Sequence, residues 1–191
     1  MTPRRTTTER TTMDRRLPGD PTPRGYVERV IRVDHAGEYG AKRIYQGQIA
    51  VLRGTRYEPV LRHMQAQEQA HLDTFSRLIA ERRVRPTALL PLWHLAGFAL
   101  GAGTALLGPR AAMACTVAVE EAIDEHYRAQ EATLGEDEAP LKERIATFRA
   151  EELEHRDIGL SHEAERAPAY RLLSAAIRAG CKAAIRISER V

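Results

Sequence analysis

Four glutamates and two histidines carry the strongest chemical signal in this sequence: Glu38, Glu68 followed by His71, Glu120, and Glu152 followed by His155. Glu38 precedes the first Glu-x-x-His pair by 30 residues and Glu120 precedes the second by 32, an internal repeat with offsets of 82 and 84 residues. On a helix, positions three apart lie one above the other on one face, so each pair can reach one metal ion or two adjacent ones. Carboxylate oxygens with one imidazole per metal suit iron or manganese better than copper or structural zinc. A four-helix bundle that directs Glu, Glu-x-x-His, Glu and Glu-x-x-His to its centre is the di-iron carboxylate arrangement, and chemistry with dioxygen then becomes possible.

Helices must position these residues. The chain has 191 residues, room for one compact domain and a tail, and only 5% are aromatic, which disfavours an all-β fold. Turn signals bound six helical segments: Tyr26 to Leu52, Pro59 to the residue before Pro86, Leu89 to Leu107, Arg110 to Leu134, Leu141 to Arg166, and a last one opened by Pro168. On the fifth, Leu141, Ile145, Phe148, Glu152, His155, Gly159 and His162 recur at steps of four and three and so line one stripe. On the second, Leu61, Met64, Glu68, His71, Phe75 and Leu78 do the same. The first segment carries Glu38 in a stripe with Ile31, Asp34, Ala41, Tyr45, Gln48 and Leu52, and the fourth carries Glu120 with Met113, Thr116, Ile123 and Tyr127. A carboxylate inside a packed core must be paired, protonated or metal-bound. No Lys or Arg shares these stripes, so a common cation is expected.

Charge is distributed unevenly. Residues 1–25 carry a net +3 and residues 166–191 a net +5, leaving −5 on the body between them. Such a surface suits anionic phosphates or lipids on one side only; nothing calls for a nucleic-acid partner. Residues 1–25, rich in Arg, Thr and Pro, are predicted to be a disordered tail, and residues 26–191 the folded domain. Three acidic residues and four prolines there argue against an amphipathic targeting helix. Cys115 and Cys181 are too few for a disulfide framework or a zinc ribbon, and reduced intracellular thiols are expected.

The segments IRVDHAGEYGAKRIYQGQIAVL, EQAHL, ACTVAVEEAIDEHY, EELEHRDIGL and APAYRLLSAAIRAGCKAAIRISERV resemble the 5-demethoxyubiquinone hydroxylase family of ubiquinone biosynthesis, over about residues 26–191. The resemblance implies an all-α fold, a ferritin-like four-helix bundle with two additional helices, one of them apolar and membrane-interfacial. It implies two iron ions held by Glu38, Glu68, His71, Glu120, Glu152 and His155, with no departure from the family pattern at any of the six. The implied activity is hydroxylation of the ring of 5-demethoxyubiquinol with O2, using electrons from a quinol, NADH or a partner reductase. The implied setting is a peripheral membrane one: the cytoplasmic face of a bacterial inner membrane, or the matrix side of the mitochondrial inner membrane, beside other ubiquinone-biosynthesis proteins. No Gly-x-Gly-x-x-Gly fingerprint is present, so a nicotinamide would bind without a Rossmann unit. The rivals are a ferritin-like ferroxidase or peroxidase and a non-enzymatic quinone-binding scaffold.

Several neighbours compete for roles. Tyr127, aligned with Glu120, and His126 are candidates for a redox or proton relay. Asp34 and Asp124 are candidates to orient a ligating His through its free ring nitrogen. Glu121 and Glu151 adjoin ligands but point about 100° away on their own helices and read as solvated or supporting groups. From Pro86 to Pro109 the chain has no charged residue, and a helix lying in a bilayer interface or lining an apolar channel, with Trp93 at the lipid boundary, fits better than a spanning one. In the last segment Arg171, Arg178, Lys182 and Arg186 are expected to face anionic headgroups.

Overall fold

The computed structural model describes residues 21–191. Most of the stretch expected to be a tail lies outside the described residues, but its end does not: helix α1 runs Pro23–Leu52 and takes residues 23–25 into its first turn. The Thr22 hydroxyl caps that turn by accepting the Gly25 N–H at 3.0 Å, and Pro23 stands where a missing N–H leaves no bond unmade. The other helices are α2 Glu58–Glu81, α3 Leu90–Leu106, α4 Pro109–Thr133, α5 Ala139–Ser161 and α6 Tyr170–Ser188, with short 3-10 turns at Glu136–Glu138 and Ala164–Arg166. Pro59, Pro91, Pro109 and Pro140 occupy the first turns of α2 to α5 in the same way. No strand occurs among the described residues.

Helix α5 ends at Ser161, short of the predicted Arg166. Glu163 takes a left-handed conformation (φ 63°) that turns the chain, and its carboxylate accepts from Arg110 Nε at 3.0 Å and pairs with Arg166. His162, expected on the inward stripe, instead stands at the helix end with Nδ1 2.8 Å from the Ile158 carbonyl oxygen.

Helices α1 and α2 pack together, as do α4 and α5, and the two pairs meet through α1 and α4. Helix α3 lies along α1 and α6 along α4, so each half of the chain has the same plan of two bundle helices and one outer helix. Two apolar clusters lie on either side of the acidic layer, and a third, with Ile44, Cys115, Val119 and Ile177, joins α1 and α4 to α6. Leu61 and Met64 of α2 belong to the first with Tyr45, Met113 and Val117; Phe75 belongs to the second with Ile31, Tyr127, Ile145 and Phe148. Glu68 and His71 fall between the two sets on α2, as Glu152 and His155 do between Phe148 and Ile158 on α5. The acidic layer is therefore clamped on both sides by close-packed side chains, which fix its geometry.

The outer helix α3 docks on α1 backbone to backbone. A Cβ added at Gly101 would lie 1.9 Å from the Ile44 carbonyl oxygen, at Gly47 2.3 Å from that of Phe98, and at Gly97 2.8 Å from that of Gly40. The Tyr39 hydroxyl and His94 Nδ1 share a hydrogen bond of 2.6 Å across the same seam, and Arg43 lies over the Phe98 ring. Leu92, Leu95, Leu106 and Leu107 remain exposed on the outside of this helix. No helix among the described residues is long and apolar enough to cross a membrane.

Candidate metal centre

All six predicted ligands lie in the middle of the bundle, and none is more than 2% exposed. They form two overlapping groups, Glu38, Glu68, His71 and Glu152, and Glu68, Glu120, Glu152 and His155, each with one donor atom per residue within 4.8 Å of the others. Glu68 and Glu152 belong to both. His71 Nδ1 is 3.4 Å from Glu38 and 3.2 Å from Glu152; His155 Nδ1 is 3.2 Å from Glu68 and 3.2 Å from the other oxygen of Glu152. Eight buried donor atoms of the six residues have no hydrogen-bond partner: Glu38 Oε2, both oxygens of Glu68, His71 Nδ1, Glu120 Oε2, both oxygens of Glu152 and His155 Nδ1. Among the described residues no Lys or Arg forms an ion pair with any of the four carboxylates. Buried polar atoms are seldom left unpaired, and hard oxygen donors with one imidazole on each side fit a pair of divalent metal ions.

Electrostatics reflect this crowding. Burial, together with the charge of neighbouring carboxylates, raises the Glu68 and Glu120 carboxyls well above their ordinary range, and burial raises Glu38. Burial would raise Glu152 too, but the His155 and His71 imidazoles on either side hold it down to about 2. Burial alone would lower His71, yet Glu152 and Glu38 beside it push it up to about 12, and His155 is raised for the same reason by Glu152 and Glu120.

The surrounding hydrogen bonds follow the repeat. Tyr127 of α4 donates to Glu38 Oε1 of α1, and Tyr45 of α1 donates to Glu120 Oε1 of α4 at 2.8 Å. Tyr45 is not among the sequence-based candidates, although it follows Glu38 by seven residues as Tyr127 follows Glu120. The free ring nitrogens are oriented by residues other than the predicted aspartates: His71 Nε2 bonds Glu151 at 2.5 Å and His155 Nε2 bonds Gln67 at 3.0 Å. Asp34 is instead buried against His126 Nε2 at 3.0 Å and Gln130 Nε2 at 2.7 Å, and Asp124 accepts from Arg149 at 2.6 Å. Glu121 pairs with Arg178 and Glu125 with Lys182, so two of the four α6 cations expected to face headgroups tie α6 to α4. Arg171 and Arg186 are exposed and make no ion pair among the described residues.

Behind the acidic layer an apolar cavity of about 560 Å³ opens between α1, α3, α4 and α6. Its inner wall includes Gly37 and Ala41, which flank Glu38, and Val119 and Ile123, which flank Glu120. Its outer wall is built by Trp93, Gly97 and Leu100 of α3 with Ile177, Cys181 and Ile185 of α6, and Trp93 Nε1 donates to Ser188 Oγ at 3.1 Å.

Residues 25–188 match the family model described as Ubiquinone biosynthesis protein COQ7. The chain belongs to the COQ7 family. Its ferritin-like helical bundle agrees with that membership. This COQ7-family chain is 64% identical to the 3-demethoxyubiquinol 3-hydroxylase of Rhodospirillum rubrum over 183 residues, covering 95% of this chain and 86% of that protein. It is 58% identical over 172 residues to the human NADPH-dependent 3-demethoxyubiquinone 3-hydroxylase, mitochondrial, covering 88% and 79%. To the Saccharomyces cerevisiae 5-demethoxyubiquinone hydroxylase, mitochondrial, it is 44% identical over 183 residues, covering 87% and 78%.

Proposed function

We propose that this protein is a membrane-associated di-iron monooxygenase that hydroxylates the ring of demethoxyubiquinol with O2 in ubiquinone biosynthesis. The observation that carries the reading is the convergence of eight buried, otherwise unpartnered donor atoms from Glu38, Glu68, His71, Glu120, Glu152 and His155. Glu38 and His71 would hold one iron, Glu120 and His155 the other, and Glu68 and Glu152, common to both groups, would be shared. Iron bound there supplies the redox chemistry with dioxygen that ring hydroxylation requires.

The chain's own residues supply position, dryness and proton handling. Tyr127 and Tyr45 each occupy one oxygen of an outer carboxylate and so restrict which oxygen faces inward. His126, bonded to buried Asp34 and beside Tyr127, would hold a proton next to the Glu38 side of the centre. The apolar cavity would take the isoprenoid tail, its small residues Gly37, Gly40, Ala96 and Gly97 leaving width for methyl branches. The exposed leucines of α3 and the free cations Arg171 and Arg186 would rest on an anionic membrane surface, on the cytoplasmic or matrix side. The human relative's name states NADPH dependence, which supports a reduced nicotinamide among the electron donors considered.

The test is anaerobic iron loading of the purified protein, then demethoxyubiquinol, reductant and O2, with the product read by mass spectrometry. One added oxygen on the ring is expected. A protein that holds two irons yet hydroxylates no demethoxyquinone under any reductant would favour the ferroxidase or scaffold readings.

A further inference from the structure

The repeat makes the two halves of the acidic layer comparable position by position. The tyrosines match, Tyr45 to Glu120 and Tyr127 to Glu38. So do two glutamines 82 residues apart: Gln48 donates to Thr116 at 3.4 Å, and Gln130 donates to Asp34 at 2.7 Å. Against that background the hydrogen-bonded shell differs in charge at two places. Asp34 stands where the other half has Thr116, but it faces the imidazole of His126, whose counterpart is Ile44. Glu151 stands where the other half has Gln67, each immediately before a shared glutamate. Glu151 has no Lys or Arg partner among the described residues; its one ion-pair contact is His71 Nε2 at 2.5 Å.

We propose that Glu151 makes the Glu38–His71 half the tighter of two unequal metal positions, so that the centre loads in sequence with that half first. The inference rests on the di-metal reading above and adds an order to it. The physical reason lies in the far nitrogen of each histidine. His71 Nε2–H donates to an anionic carboxylate, which fixes the ring and pushes electron density toward Nδ1, the atom aimed at the metal. His155 Nε2–H donates to a neutral amide oxygen, which fixes the ring without adding charge. Altering such supporting partners changes metal affinity by about 10- to 100-fold. The Glu151 side chain is 37% exposed, so solvent screens part of its field and the difference belongs near the lower end, about tenfold. Glu151 is thus a positioning residue that acts through His71.

The experiment is an anaerobic Co(II) titration of the full chain against a competing chelator, reading the ligand-field bands, for wild type, Glu151→Gln and Gln67→Glu. Both substitutions keep size and hydrogen-bonding reach at partly exposed positions, and thermal unfolding of the metal-free proteins checks that they fold alike. Wild type is expected to bind two ions in steps about tenfold apart. Glu151→Gln should weaken the tighter step about tenfold and leave the weaker one in place, while Gln67→Glu should tighten the weaker step. His155→Ala should retain the tight step and His71→Ala should lose it. Two ions bound with equal affinity in wild type, or step constants that move together or not at all in Glu151→Gln, would overturn the inference while leaving the di-metal reading standing. A wild-type protein that binds no metal would overturn the di-metal reading itself.

Discussion

Replacing Gly101 with Ala tests how α3 is attached and what that attachment does. The added Cβ would lie 1.9 Å from the oxygen, 2.7 Å from the carbonyl carbon and 3.0 Å from the Cα of Ile44, all backbone atoms that cannot rotate away. Close carbon-to-oxygen contacts between helices settle at about 3.3–3.6 Å, so α3 must retreat by about 1.5 Å. Overpacking of this kind costs about 1–3 kcal/mol, and the backbone location puts it at the top of that range. Alanine returns about 1 kcal/mol of helix propensity, leaving a net loss of about 2 kcal/mol. For a chain of this size that lowers Tm by about 4–8 °C. Gly103 has nothing within 4 Å of its Cβ direction, so Gly103→Ala should leave Tm unchanged or raise it slightly. None of the six proposed ligands is on α3, so Gly101→Ala should keep its iron. Because Gly97 and Leu100 wall the cavity, turnover of a long-tailed quinol should fall more than that of a short-tailed analogue. A Gly101→Ala protein that melts at or above wild type, with an unchanged ratio of the two activities, would show that this backbone contact does not hold α3 against α1.

Further outcomes follow from other parts of the structure. Tyr127→Phe leaves Glu38 Oε1, deep in the bundle, without its donor and should lower stability by about 1–3 kcal/mol in chemical denaturation, with a parallel loss of turnover; an unchanged unfolding midpoint and rate would count against that bond. In chelator, stability should fall as pH rises from 5.5 to 8.5. Glu38, Glu68 and Glu120 are raised by burial, and His71 and His155 are raised by adjacent carboxylates; a group raised on folding stabilises at low pH and loses that contribution as pH climbs through its folded value. Glu152, held down to about 2, contributes fully across this window, and His35, lowered by burial, is a single opposing group. Metal should reverse the trend, since its binding displaces protons; metal-free stability that increases with pH would contradict the account. Leu95→Glu, at a position 69% exposed, should weaken sedimentation with anionic liposomes while leaving iron content intact, and equal binding would remove α3 from the membrane face.

The helices were legible because proline and glycine punctuate this chain so regularly, and the acidic layer because its repeat needs only spacing and period to be seen. The partners of the histidines were not. A helical projection correctly turns Glu151 away from Glu152, but it carries no information that α2 lies on that side and presents His71 Nε2 there. The aspartates suggested for that role are drawn elsewhere by His126, Gln130 and Arg149, each from a distant part of the chain. The uncharged third segment reads by composition as a helix lying in a bilayer interface or lining an apolar channel, and Trp93, Gly97 and Leu100 do wall the apolar cavity. Gly97 and Gly101 make a backbone contact with α1, while Leu92, Leu95, Leu106 and Leu107 are the part left outside. The cations of α6 look alike in sequence, yet Arg178 and Lys182 are matched to Glu121 and Glu125 because α6 lies along α4.

The proposed function stands on Glu38, Glu68, His71, Glu120, Glu152 and His155 together holding two irons. Anaerobic Fe(II) titration followed by Mössbauer spectroscopy measures this directly, in wild type and in Glu152→Ala, which removes a side chain common to both halves. Two ferrous ions per chain are expected in wild type, with uptake largely lost in Glu152→Ala and helicity retained. Wild type without iron, or a Glu152→Ala protein that still takes up two equivalents with an unaltered spectrum, would contradict this ligand set.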